Sequence, residues 1–132
     1  MSPESGTGRH KKESDVKRNG NPDRLAPARA VAILDLVDVA EAATVSRVLA
    51  RASGGSLTLF AFAAGQELSE HSAPFDALVQ VLDGELELTI GGNGVHARPG
   101  EVVLMPADVP HALKAVVDTK MLLTMLRDAG KE

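Results

Sequence analysis

The sequence contains no cysteine, no tryptophan and no tyrosine, and its aromatic side chains are Phe60, Phe62 and Phe75. Without thiols there is no disulfide, no zinc–thiolate or iron–sulfur centre and no cysteine nucleophile, so a bound metal is expected to use nitrogen or oxygen donors. Nothing in this composition calls for an oxidising compartment, and the cytoplasm is the expected location. No apolar run is long enough to span a bilayer, and the opening Met-Ser-Pro-Glu lacks the apolar stretch of a secretory signal, so no membrane partner is expected. Scarce aromatics and a net charge of −4 also remove the stacking rings and basic surface that nucleic-acid binding uses. No nucleic-acid partner is expected.

The charge is unevenly divided. Residues 1–30 hold seven Lys/Arg against four Asp/Glu, and the remainder holds seven against fourteen, so +3 and −7 make up the total. Residues 1–29 are rich in Ser, Gly, Asn, Pro and charge and have almost no large apolar side chain. They cannot offset the entropy of ordering and are expected to form a disordered tail. The remaining residues, 30–132, suffice for one core and one domain.

From Ala30 to Leu36 the chain is apolar enough for an edge strand or a short packed segment, and Asp38 to Ala43 suits a helical turn. Thr44–Ala52 and the run SLTLFAFAA flank Ser53-Gly54-Gly55 and read as a hairpin, with helix an alternative for the first. Beyond Gly65 the punctuation becomes regular. Asp83-Gly84 separates LVQVL from ELELTI, Gly91-Gly92-Asn93-Gly94 precedes VHA, and Pro99-Gly100 precedes EVVLMP. Such pairs supply the tight turns of short antiparallel strands. HALKAVV and KMLLTML close the chain as extended runs, the last with a helical alternative. Eight or more short strands imply a sandwich or closed barrel, because antiparallel sheets must hide their edges.

Two segments resemble the cupins, whose motifs have the form G-x5-H-x-H-x3-4-E-x6-G and G-x5-P-x-G-x2-H-x3-N. Gly65, His71 and Gly84 match the first frame; Gly100, Pro106 and His111 match the second; and VLDGELELTIGG looks like a cupin central hairpin. The resemblance covers about residues 44–126 and implies an all-β fold, an antiparallel double-stranded β-helix or jelly-roll barrel. It also implies one divalent metal, such as iron, manganese, nickel or zinc, held by three histidines and a glutamate. His71 matches the first ligand and His111 the last. Ala73 and Ala77 stand where the second histidine and the glutamate would be, and Asp108 and Ala115 replace the second motif's glycine and asparagine. Cupins often form dimers, so a homodimer is expected, with the apolar segment from Ala30 and KMLLTML suited to burial between subunits.

Two imidazoles hold a late first-row metal only loosely, so something else must complete the shell. Gln80, the odd polar residue in ALVQVLDG, could ligate or bind substrate through its amide, although strict alternation with Ala77, Val79 and Val81 turns it outward unless a bulge intervenes. Asp76 meets the same objection. His96 reads as a surface residue on a short outer strand, His10 lies in the tail, and Met105, Met121 and Met125 read as packing, as do Phe60 and Phe62 on one sheet face. Three functions stay open: a metal-dependent enzyme on a small organic acid, sugar or enol-like substrate; a metal-free small-molecule binding module whose pocket Ala73 and Ala77 enlarge; and acid–base catalysis by the histidine pair with Glu67 or Glu70 at the rim.

Overall fold

The computed structural model describes residues 24–127. Most of the expected tail, with His10, and residues 128–132 lie outside them. Ala32–Glu132 forms a unit distinct from Met1–Val31 and carries all the described strands.

Those strands are β1 (Thr44–Ala52), β2 (Gly55–Phe62), β3 (Glu67–His71), β4 (Asp76–Asp83), β5 (Leu86–Ile90), β6 (Asn93–Ala97), β7 (Val102–Met105), β8 (His111–Ala115) and β9 (Thr119–Leu126). They form a five-stranded sheet in the order β1-β2-β9-β4-β7 and a four-stranded sheet in the order β3-β8-β5-β6. Every pairing is antiparallel, in keeping with the sandwich or barrel expected from the turn spacing and with the jelly roll that the resemblance implies. Thr44–Ala52 and the KMLLTML run are strands, not helices. β9 lies between β2 and β4, so both its edges are used within the chain and only its faces remain for another subunit.

Alternation sorts each strand into two faces. In β2, Phe60 and Phe62 face the space between the sheets, their rings stacked 5.7 Å apart. In β4, Ala77, Val79 and Val81 do the same, with Met121 of β9, Leu86 and Leu88 of β5 and Leu113 of β8 in the same core. The opposite parity of β2, Leu59 and Ala61, packs on the outside of the larger sheet beneath Ile33, Leu36 and Val37. Of the two alternatives for the segment from Ala30, the short packed segment is the one found: Ile33–Leu36 is a single 3-10 turn. Arg47 and Lys120 donate to the carbonyls of Leu36 and Leu34 at 2.9 and 2.7 Å. The expected helical turn over Asp38 to Ala43 is instead irregular chain ending in a tight turn, closed by the Ala43 N–H on the Ala40 carbonyl at 3.2 Å. No helix among the described residues is long and apolar enough to cross a membrane.

Gly84 carries the chain from one sheet to the other. Its φ of +92° favours glycine, and a Cβ there would fall 2.4 Å from both the Asp118 carbonyl oxygen and Thr119 Oγ1. Thr119 is fully buried; its hydroxyl accepts from the Glu85 N–H at 3.1 Å and lies 2.7 Å from the Val117 carbonyl, to which it donates. The crossover thus docks directly on the start of β9. Gly84→Ala is expected to cost about 2 kcal/mol or more through backbone strain and overpacking, read as a lower urea midpoint at unchanged slope.

Candidate functional site

His71 ends β3 and His111 begins β8, and the two residues are direct register partners. The pairing depends on a bulge. Leu68 opposes Leu113, but three residues of β3 then span the two of β8 that lead to His111, so one extra residue is inserted. Without it Glu70 would oppose His111, and His71 would turn to the other face. The bulge therefore aims His71 at the same interior that Leu68, Leu113 and His111 face. His111 is buried, at 5% exposure, while His71 is exposed at the rim.

The rings meet edge to face, with centroids 4.5 Å apart and Nε2 to Nε2 at 3.3 Å. Each Nδ1 faces a carbonyl two residues back, His71 at 2.9 Å from Ser69 and His111 at 3.2 Å from Val109. A carbonyl only accepts, so in each neutral ring the proton sits on Nδ1 and Nε2 carries a lone pair. Two unprotonated Nε2 atoms then lie side by side with no proton between them. Burial, reinforced by the neighbouring His71 ring, holds His111 below the ordinary imidazole value of 6.5, against the raising effect of its hydrogen bond to Val109. Near neutral pH His111 is therefore poor at keeping a proton, and its Nε2 is available to another cation.

Two nitrogens bound to one ion at about 2.05 Å and near the tetrahedral angle stand about 3.3 Å apart. The observed separation fits two positions of such a shell, and an Nδ1–H fixed by a backbone carbonyl is the usual outer support of a ligating histidine. The remaining positions have no side-chain oxygen in place: among the described residues there is no group of three or more His, Asp or Glu able to hold a metal.

The pair borders a cavity of about 50 Å³, space for roughly three or four water-sized groups. Ala73 and Ala77 line it as the motif positions imply, yet it is small, because Phe75, Met105, Met121 and Met125 occupy its walls. The three methionines are residues that sequence reasoning assigned only to packing, and Phe75 was given no role. The inward parity of Met121 and Met125, and the place of Met105 just before the motif's Pro106, were the available signals. Gln80 is not brought to the histidines; it is exposed, between Val102 of β7 and Leu122 of β9, on the face opposite Val79 and Val81. The bulge in β4 falls later, between Val81 and Asp83. Asp76 accepts the Ala107 N–H at 2.9 Å and fastens the loop after β7. Glu67 is exposed opposite Lys114, Glu70 is exposed in the bulge, and neither lines the cavity. His96 is on the surface, paired with Glu85. Asp108, standing at a glycine position of the motif, adopts φ +65°, a left-handed conformation that Asp tolerates better than most residues.

A family model described as Cupin domain matches residues 58–126. Among solved structures, a conserved protein of unknown function from Streptococcus pyogenes is 32% identical, with a TM-score of 0.76 over 80% of this chain and 93% of that one. A cupin superfamily protein from Desulfitobacterium hafniense is 30% identical, with a TM-score of 0.74 over 79% and 95%. An RmlC-like cupin protein from Desulfovibrio desulfuricans is also 30% identical, with a TM-score of 0.66 over 74% and 95%. No curated protein matches the chain.

Because the folded pKa of His111 is depressed, the unfolded chain binds more protons just below pH 6.5, so stability is complete above that value and declines as pH falls through it toward the folded pKa. NMR titration of the His111 ring is expected to show a midpoint below 6.5. His71→Ala should move it upward only part of the way, since burial remains the larger cause.

Proposed function

Since the chain belongs to the cupin family, we propose that the His71–His111 pair is the ligand-binding centre of the barrel, holding one transition-metal ion beside a small organic acid. The observation that carries this reading is the approach of two Nε2 atoms to 3.3 Å, each ring fixed through Nδ1 by a backbone carbonyl. Iron, manganese, nickel and zinc are the divalent candidates from the resemblance. When bound, the ion supplies Lewis acidity toward a carboxylate or enolate oxygen.

The chain's own residues define the rest of the ligand. The cavity wall is apolar apart from the two imidazoles, so a sugar would bury hydroxyls without partners, whereas a short acid with an apolar tail would not. Arg127 lies over the Phe75 ring at 4.8 Å, bringing a cation to a residue of the cavity wall and favouring an anionic head group. His111 orients from the buried side and His71 from the rim. The proposed setting is a cytoplasmic homodimer; Val102 and Leu104, 61% and 52% exposed on the edge strand β7, support an apolar contact with a second copy.

A second reading, a metal-free binding module without catalysis, is favoured by the missing oxygen ligands. Calorimetric titration with each divalent ion separates the two. One ion per wild-type chain, with at least tenfold weaker binding in His71→Ala and His111→Ala variants that remain folded, is the expected result. A wild type that takes up no ion yet still binds short carboxylates after chelator treatment would instead establish the metal-free module.

A further inference from the structure

Resting on the reading of the histidine pair as a metal holder, we propose that the ion it selects is monovalent copper, Cu(I), with methionine thioethers of the same cavity completing the shell. The absence of cysteine removes thiolates from this protein but not sulfur. Met105 of β7 and Met121 and Met125 of β9 line the cavity with His71 and His111. Strand register places Met105 and Met125 on either side of Ala77, the position where the motif has its carboxylate. The oxygen donor expected there is thus replaced by a methyl group flanked by two thioethers.

Charge and softness point the same way. Imidazole and thioether are neutral, and no carboxylate lines the cavity, so the protein itself supplies no charge to offset that of an ion in an apolar site. The cost of burying an ion rises with the square of its charge, so a dication is penalised about four times as heavily as a monocation of similar size. Thioethers select soft ions, Cu(I) first among them, whereas carboxylates suit harder ones. Methionine also has three rotatable side-chain bonds, so its sulfur can reach an ion without displacing the strand that carries it. The buried His111 supplies the fixed nitrogen, and the exposed His71 is the first donor an incoming ion meets.

The test is an anaerobic titration of the full chain with Cu(I) against a chromogenic Cu(I) chelator, a parallel titration with Zn²⁺, and X-ray absorption at the copper edge of selenomethionine-substituted protein. The expected result is one Cu(I) per chain, selenium in the copper shell, and at least tenfold weaker Cu(I) binding in a Met105→Leu/Met125→Leu double variant whose Zn²⁺ binding is unchanged. Leucine for methionine nearly conserves volume, so the variant should fold, and selenium substitution tests the contact with every side chain kept. A copper shell without selenium, or Zn²⁺ held more tightly than Cu(I), would overturn the copper assignment and leave the histidine pair as a metal holder. Wild-type protein that binds neither ion would overturn both.

Discussion

Two unprotonated imidazole nitrogens 3.3 Å apart are an arrangement that nothing intrinsic to the rings favours, and the surrounding fold is organised to impose it. His111 is fixed because β8 lies inside the four-stranded sheet, paired on both sides. His71 is brought opposite by the bulge in β3, and the Ser69 carbonyl within that bulge takes its Nδ1 proton. Each ring is held by backbone, so neither can relieve the repulsion by exchanging tautomers without losing a hydrogen bond.

The larger sheet contributes shape. Its inward parity supplies Ala77, Met105 and Met125 to the cavity, while its outward parity is covered by the segment from Ile33 to Val39. That division frees the barrel interior from having to hold the whole hydrophobic core: part of the apolar burial lies outside the barrel, against Leu59 and Ala61. A polar pair can then be placed inside with a limited cost in packing.

Much of this was legible in the sequence because turn chemistry is local. Asp83-Gly84 and Pro99-Gly100 mark turns whose glycines adopt φ of +92° and +89°, while the two histidines were singled out by the resemblance of their segments to the cupin motifs. Alternation correctly set Gln80 against Ala77, Val79 and Val81. The bulge in β3 was not legible, since Leu68, Ser69, Glu70 and His71 offer no glycine or proline to announce an extra residue, and strict alternation from Leu68 turns His71 outward. The methionines were seen but read only as packing, because their convergence on one cavity depends on strands β7 and β9 that are distant in sequence and both paired with β4. Helix and strand could not be separated for the alanine-rich opening, where the periodicity is shared.

The two histidines belong to strands of different mechanical standing. β8 is enclosed between β3 and β5, whereas β3 lies at the sheet edge, with β8 as its sole neighbour among the described residues and most of its own residues exposed. Edge strands open at far smaller free energies than the global unfolding of a domain. Fraying of β3 carries His71 away and leaves His111 and the cavity wall in place, so the residence time of whatever the pair holds is governed by a local opening equilibrium of five residues rather than by the strength of the bonds alone.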